Sequence, residues 1–383
     1  MNGAVASGPA ATAPRERGWR WFVLGLVLMV LVTSAPAWPP TLALLGGAVR
    51  LLLPVEQFAL LVLVAIASCA VVGWWSGGRL LMGMVWCVAA AYVVWRVPLP
   101  FTGYGAFLRG WSVTVGAAFG LVGLAAPARP FLSRALSAVA LAGVVTLAGL
   151  SSRAADGAGA FTAAEQMLSR EYSQRLGEAL EVWRGRSTSD AWREFSRRVP
   201  GAMDRATRLE TVLVALGEPV AASDAVGGSR AGPLVRLAPT LLALESLVAL
   251  ALGWAAYHRL ARARIGPPLG ALRDLRFNDQ WVWGLVVGVT ALLLPTLVEW
   301  RTVGLNLVCF FGTLYALRGA GVLTWWIPDR AAGWALLALV LLVPILGPVW
   351  VLVAVLATTF TLGLGDTWRD FRAGATPRRP SSR

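Results

Sequence analysis

Long apolar runs recur along this chain, and they constrain its fold more than any other feature. They lie near 56–76, 79–96, 110–126, 133–150, 236–258, 280–299, 302–326, 331–345 and 348–364, with an earlier one at Trp21–Val32. A membrane-crossing helix needs about 20 mostly apolar residues, because the hydrocarbon core is about 30 Å thick and a helix rises about 1.5 Å per residue. Backbone polar groups in hydrocarbon must be bonded within the protein, which favours helices. Composition agrees: 57% of the 383 residues are hydrophobic and 14% are charged, against about 25% charged in soluble domains. The expected fold is all-α: a polytopic transmembrane helix bundle of about ten spans with a small helical extracytoplasmic insertion.

Two segments depart from the simple pattern. Residues 331–345 are short for a crossing and join 348–364 through Pro344-Ile345-Leu346-Gly347-Pro348, as a hairpin or as one kinked span. Residues 41–53 carry Arg50 and read as an interfacial or re-entrant helix. Ser34-Ala35-Pro36-Ala37 after the first run has the look of a signal cleavage site, but the many segments that follow favour a retained first helix.

The formal net charge is +14, and every one of the 34 basic residues is arginine. These arginines flank apolar runs and form no basic face with interleaved aromatics, so nucleic acid is not an expected partner. The lipid bilayer is. Without lysine there is neither a phosphate-binding P-loop nor a Schiff-base nucleophile. Cys69, Cys87 and Cys309 fall in different apolar runs, a pattern of packing residues; no metal and no cofactor is expected. His258 closes a span beside a basic loop and reads as a surface residue. No Ser-His-Asp arrangement, nucleophile elbow or GxGxxG after a strand is present, so an enzyme is not expected.

Arginine placement orients the chain. The loop 259–276 holds five arginines and one aspartate, and the tail holds Arg369, Arg372, Arg378, Arg379 and Arg383. Both belong inside, as does the N-terminus. Arg129 and Arg134 then also fall inside. Tryptophans at span ends, including Trp74, Trp75, Trp95, Trp111, Trp283, Trp300, Trp326 and Trp368, suit the headgroup level.

The chain divides into a disordered N-terminus at 1–18, a first bundle half at 19–150, an extracytoplasmic insertion and linker at 151–235, a second half at 236–372 and a disordered tail at 373–383. Within the insertion, Thr162-Ala163-Ala164-Glu165 has capping-box spacing. Phe161, Leu168, Tyr172, Leu176 and Leu180 then recur at helical spacing. Trp192, Phe195 and Val199 mark a second helix ended by Pro200, and Met203 to Leu216 a third.

Three stretches carry a family resemblance: Ala238-Pro239 opening a span, FNDQWVWGLVVG at 277–288, and the terminal GLGDTWRDFR at 363–372. In these the chain resembles the YybS-like family of uncharacterised bacterial membrane proteins. The resemblance implies a multi-span inner-membrane protein, distantly similar to the substrate-binding components of energy-coupling-factor transporters and to the rod-shape protein MreD. Those components dock through a small-xxx-small pattern in the first span, which WFVLGLVLMVLV lacks.

Ionisable residues within spans are costly and mark candidate sites. Glu245 and Arg318 lie roughly 14 and 24 Å below the outer interface by helical rise, near enough for an interior ion pair. Asn306 shares a helix face with Arg318. Glu245, Asn306 and Arg318 are therefore the candidate substrate-binding residues. Gly312, Gly319 and Gly321 line the same helix, either as a polar seam or as close packing; Gly116 and Gly120 read as close packing. Asp366, Trp368, Arg369, Asp370 and Arg372 form a helix-end motif at the cytoplasmic face. Two functions follow. One is a small-molecule transporter or membrane substrate-binding subunit, with an unknown small molecule as ligand. The other is a scaffold docking a protein partner through the 259–276 loop and an apolar face on 161–216.

Overall fold

The computed structural model describes residues 55–75, 79–96, 103–127, 129–153, 157–198, 202–217, 232–260, 266–326, 349–369 and 371. The expected first span, the 41–53 segment, the 331–345 span, Asp370 and Arg372 lie outside the described residues.

Among the described residues the protein is an all-α membrane helix bundle without strands. Eleven α-helices run in order: α1 (Val55–Trp75), α2 (Leu80–Arg96), α3 (Gly103–Ala125), α4 (Phe131–Arg153), α5 (Gly157–Ser187), α6 (Asp190–Arg198), α7 (Ala202–Gly217), α8 (Pro233–Leu260), α9 (Val282–Leu293), α10 (Arg301–Trp326) and α11 (Val349–Gly365). Five contain stretches long and apolar enough to cross a membrane: Phe58–Trp75, Gly103–Ala125, Phe131–Ser152, Val235–Arg259 and Arg301–Trp326. Leu80–Arg96, Asp279–Leu293 and Val353–Gly365 are shorter apolar helices.

Helix α1 is the centre of the first half, packing on α2, α3 and α8. Small residues set these approaches. A Cβ at Gly253 of α8 would stand 2.7 Å from Ala65 Cβ on α1, and one at Gly116 of α3 would stand 2.9 Å from Ser68 Oγ. The Gly116/Gly120 pair is thus a packing surface, as its spacing implied. Leu61, Ala65, Cys69, Val115, Ala138 and Leu250 fill the seam between these helices.

The second half is built on α10, which packs against α9, α11 and α8. At the α10–α11 crossing a Cβ on Gly319 would run into the Thr359 carbonyl, and one on Gly363 into the Tyr315 carbonyl. Of the two readings for these glycines, close packing holds at Gly319. Gly312 has open space about it.

The run expected as one span over 280–299 is broken. Helix α9 ends at Leu293, and Pro295–Trp300 continues as a 3-10 segment with Leu297 out of helical geometry. Pro295 has no N–H to donate and forces the preceding residue extended; Leu294 has ψ 122°. Twelve residues rise only about 18 Å, short of a full crossing.

The three helices expected between 161 and 216 are present as α5, α6 and α7. Tyr172, Leu176 and Leu180, spaced by four, are buried, and so is Trp192. Helix α5 lies against α3, α4 and α8, next to the start of α3 and the end of α4. The opposite face carries the 266–281 loop, whose Ala271 and Leu272 are buried against α10.

Two tryptophan and histidine expectations need correction. Trp111 is buried, because its indole donates to Ser246 Oγ across the α3–α8 contact at 2.9 Å. His258 is buried, its ring 4.4 Å from that of Trp254 and its nitrogens beside the Trp254 and Gly266 carbonyls. The loop folds back over the end of α8, which a lone span-end position does not reveal. Trp75, Trp95, Trp283, Trp300 and Trp368 are exposed, as an interfacial belt requires.

Candidate functional site

Glu245 lies ten residues beyond Val235, the start of the apolar stretch on α8, or about 15 Å into the span. Its side chain is 3% exposed. The next residue, Ser246, closes the α3–α8 contact by donating to Leu242 O and accepting from Trp111. Glu245 is grouped with residues of two other helices. Tyr104 from the first turn of α3 and Tyr172 from α5 are both buried, and both feel its charge. Arg175, one turn beyond Tyr172, is the charged group that acts on Glu245. Arg175 also bonds Glu171 at 2.8 Å and sits 4.9 Å from the Tyr104 ring centre. Burial pushes the Tyr172 phenol up to about 12, with Arg175 pulling it down and Glu245 pushing it further up. A carboxyl group, two phenols and a guanidinium therefore lie near one another where α5 packs on the bundle.

Arg318 lies elsewhere. Its guanidinium is 4% exposed and makes three bonds: Nε to Asp366 Oδ2 at 2.9 Å, Nη2 to Asp366 O at 2.9 Å and Nη1 to Asp279 Oδ1 at 2.8 Å. Phe277 lies beneath it, 5.3 Å from the guanidinium carbon, and packs on Trp281 and Tyr315. The expected Glu245–Arg318 pair does not form. The reason is helical register. Asn306 of α10 is bonded to Thr240 of α8, which sets the two helices level at that point. Glu245 is five residues past Thr240 and Arg318 twelve past Asn306, leaving about 10 Å between them along the axes.

Asn306 has a structural task that its sequence position did not show. Its Nδ2 donates to Arg236 O at 2.7 Å and its Oδ1 accepts from Thr240 N at 3.1 Å. In an uninterrupted helix those two backbone groups bond each other. Pro239 inside α8 disturbs the ladder there, and the Asn306 amide bridges it.

The helix-end motif divides likewise. Asp366 is 4% exposed and faces Arg318, whereas Trp368 and Arg369 are exposed. Asp279 was not singled out from the sequence, although it sits within the FNDQW stretch. Tyr172 carried no signal beyond the helical periodicity of α5, and Tyr104 on α3 and Arg175 carried none. Among the described residues no cluster of His, Cys, Asp and Glu could hold a metal ion.

Residues 188–359 match a family model described as a predicted membrane protein, DUF2232. The match spans Glu245, Asp279, Asn306 and Arg318 and stops short of Asp366. No curated protein and no solved structure matches the chain.

Proposed function

We propose that the protein is a small-molecule transporter, or the membrane substrate-binding subunit of one, and that its solute is taken at Glu245 beneath α5. The observation that carries this reading is a carboxyl group enclosed well inside a span, near two buried phenols, on a helix against which α5 packs. A buried ionisable group in a bilayer is costly and is retained for a ligand or ion more often than for packing. Asn306 and Arg318 take part in backbone and ion-pair bonds that hold the helices together; we assign the solute contact to Glu245, with Tyr104 and Tyr172 near it. A solute presenting N–H donors or a positive charge matches this lining. The resemblance to energy-coupling-factor binding components supports the same reading, at the level of analogy. We place the protein in a bacterial inner membrane with both ends cytoplasmic and α5–α7 outside, following the arginine distribution.

The scaffold alternative required an apolar face on 161–216 open to a partner. Tyr172, Leu176, Leu180 and Trp192 are buried within the protein, so that alternative rests on the basic 259–276 loop and the charged helix end rather than on this face. Native mass spectrometry of the full chain, extracted gently from its own membrane, tests the proposal. The expected result is a retained small molecule whose occupancy falls about ten-fold or more in folded Glu245→Gln, the loss expected for a charged hydrogen bond. An adduct unchanged by that substitution sinks the assignment.

A further inference from the structure

A second arginine lies on the opposite face, beside the 266–281 loop. Arg134, in the first turn of α4, is 0% exposed, and its Nε, Nη1 and Nη2 make no hydrogen bond among the described residues. Its guanidinium carbon stands 4.4 Å from the centre of the Trp254 ring on α8. A ring face attracts the charge but gives no acceptor to N–H groups that lie in the guanidinium plane. Two carbonyls of the loop lie against other groups. Pro267 O accepts from Trp254 Nε1 at 3.2 Å, and Gly266 O faces His258 Nε2 at 3.3 Å. The loop closes tightly at this point. Gly266 has φ +71°, and a Cβ there would stand 2.6 Å from Arg134 Nη2 and 2.8 Å from Pro127 O. Glycine alone satisfies both the backbone and the space.

We propose that Arg134 is an anion site, which takes one phosphate group at this face of the membrane, from a lipid headgroup or from a soluble phosphate. An enclosed guanidinium without acceptors is strongly disfavoured unless it is paired. Its fork of donors fits a tetrahedral oxyanion, and Trp254 fixes the plane of that fork. The first turn of α4 adds the positive end of a helix. Arg129 and Arg259, both exposed, raise the positive potential at the rim, where phosphate headgroups are concentrated. The Glu245 proposal has no part in this argument, because Glu245 lies nine residues before Trp254 on α8, about 14 Å along the axis.

The test is native mass spectrometry of the delipidated full chain in detergent, titrated separately with dioleoylphosphatidylglycerol, dioleoylglycerol and inorganic phosphate. The expected result is one retained phosphatidylglycerol, bound about ten-fold or more tightly than dioleoylglycerol, weakened in Arg134→Lys and lost in Arg134→Gln. Retention of inorganic phosphate, competing with the lipid and lost in the same variants, supports the site with a soluble source. Equal retention of phosphatidylglycerol and dioleoylglycerol, without phosphate binding, overturns the proposal on the wild-type protein alone, whether or not Arg134→Gln folds. Phosphate-dependent binding that persists in folded Arg134→Gln also overturns it.

Discussion

Arg318 shows how much one buried charge depends on its partners. Truncating one partner leaves the other charged and enclosed, which costs about 3–5 kcal/mol. Asp366→Ala and Arg318→Leu are each expected to lower the detergent-solubilised unfolding midpoint by that order. The double variant is expected to cost less than the sum, because neither charge is then stranded. A strictly additive result from thermal unfolding would show that the pair is not the source of the cost. Asn306 makes a different kind of contribution. Asn306→Ala removes both bridges across the Pro239 break and is expected to cost about 1–3 kcal/mol, the penalty for leaving buried polar groups unmet. Thr302, which also accepts from Asn306 at 2.8 Å, lies within the same helix and is not expected to compensate.

Two contacts between elements make separable predictions. The α10–α11 crossing depends on Gly319 and Gly363, so Gly319→Val forces the helices apart and is expected to cost about 1–3 kcal/mol or more. Gly312→Val is the control, because the same helix has open space there. Equal losses of thermal stability in the two variants would show that helix propensity, not the crossing, sets the cost. The cover formed by α5 is tested through Tyr172. Its phenol titrates near 12 when docked and near 10 when unfolded. The docked form therefore keeps its proton where the unfolded chain has lost it. This stabilising contribution is complete below about pH 10 and is lost as pH climbs toward 12. Absorbance titration is expected to show one fewer late-titrating phenol in Tyr172→Phe than in the wild-type protein; an undiminished late amplitude in the variant would refute the docking of α5.

At the scale of the whole molecule, the α5 cover lies toward one end of the bundle, with Glu245 inside the span on that side, and the 266–281 loop and Arg134 lie toward the other. Cysteines placed at Arg193 and at Asp274, with the three native cysteines changed to serine, are expected to label from opposite sides with a membrane-impermeant maleimide. Labelling of both from one side of intact cells would refute the orientation. The apolar runs by themselves determined the all-α membrane class and the start and end of most described helices, because hydrocarbon tolerates little else over about 20 residues. The four-residue spacing of Tyr172, Leu176 and Leu180 determined the buried face of α5 in the same way. Glu245 and Arg318 stood out because ionisable groups are rare in such runs, Asn306 because it shares a helix face with Arg318, and Asp366 through the helix-end motif. Their partners did not, because pairing depends on the register between helices far apart in sequence, and apolar segments slide past one another with little change in hydropathy. The Thr240–Asn306 bonds fix that register. Only then do Arg318, Asp279 and Asp366 meet, Glu245 come to lie under α5 rather than beside Arg318, and the loop close over Arg134.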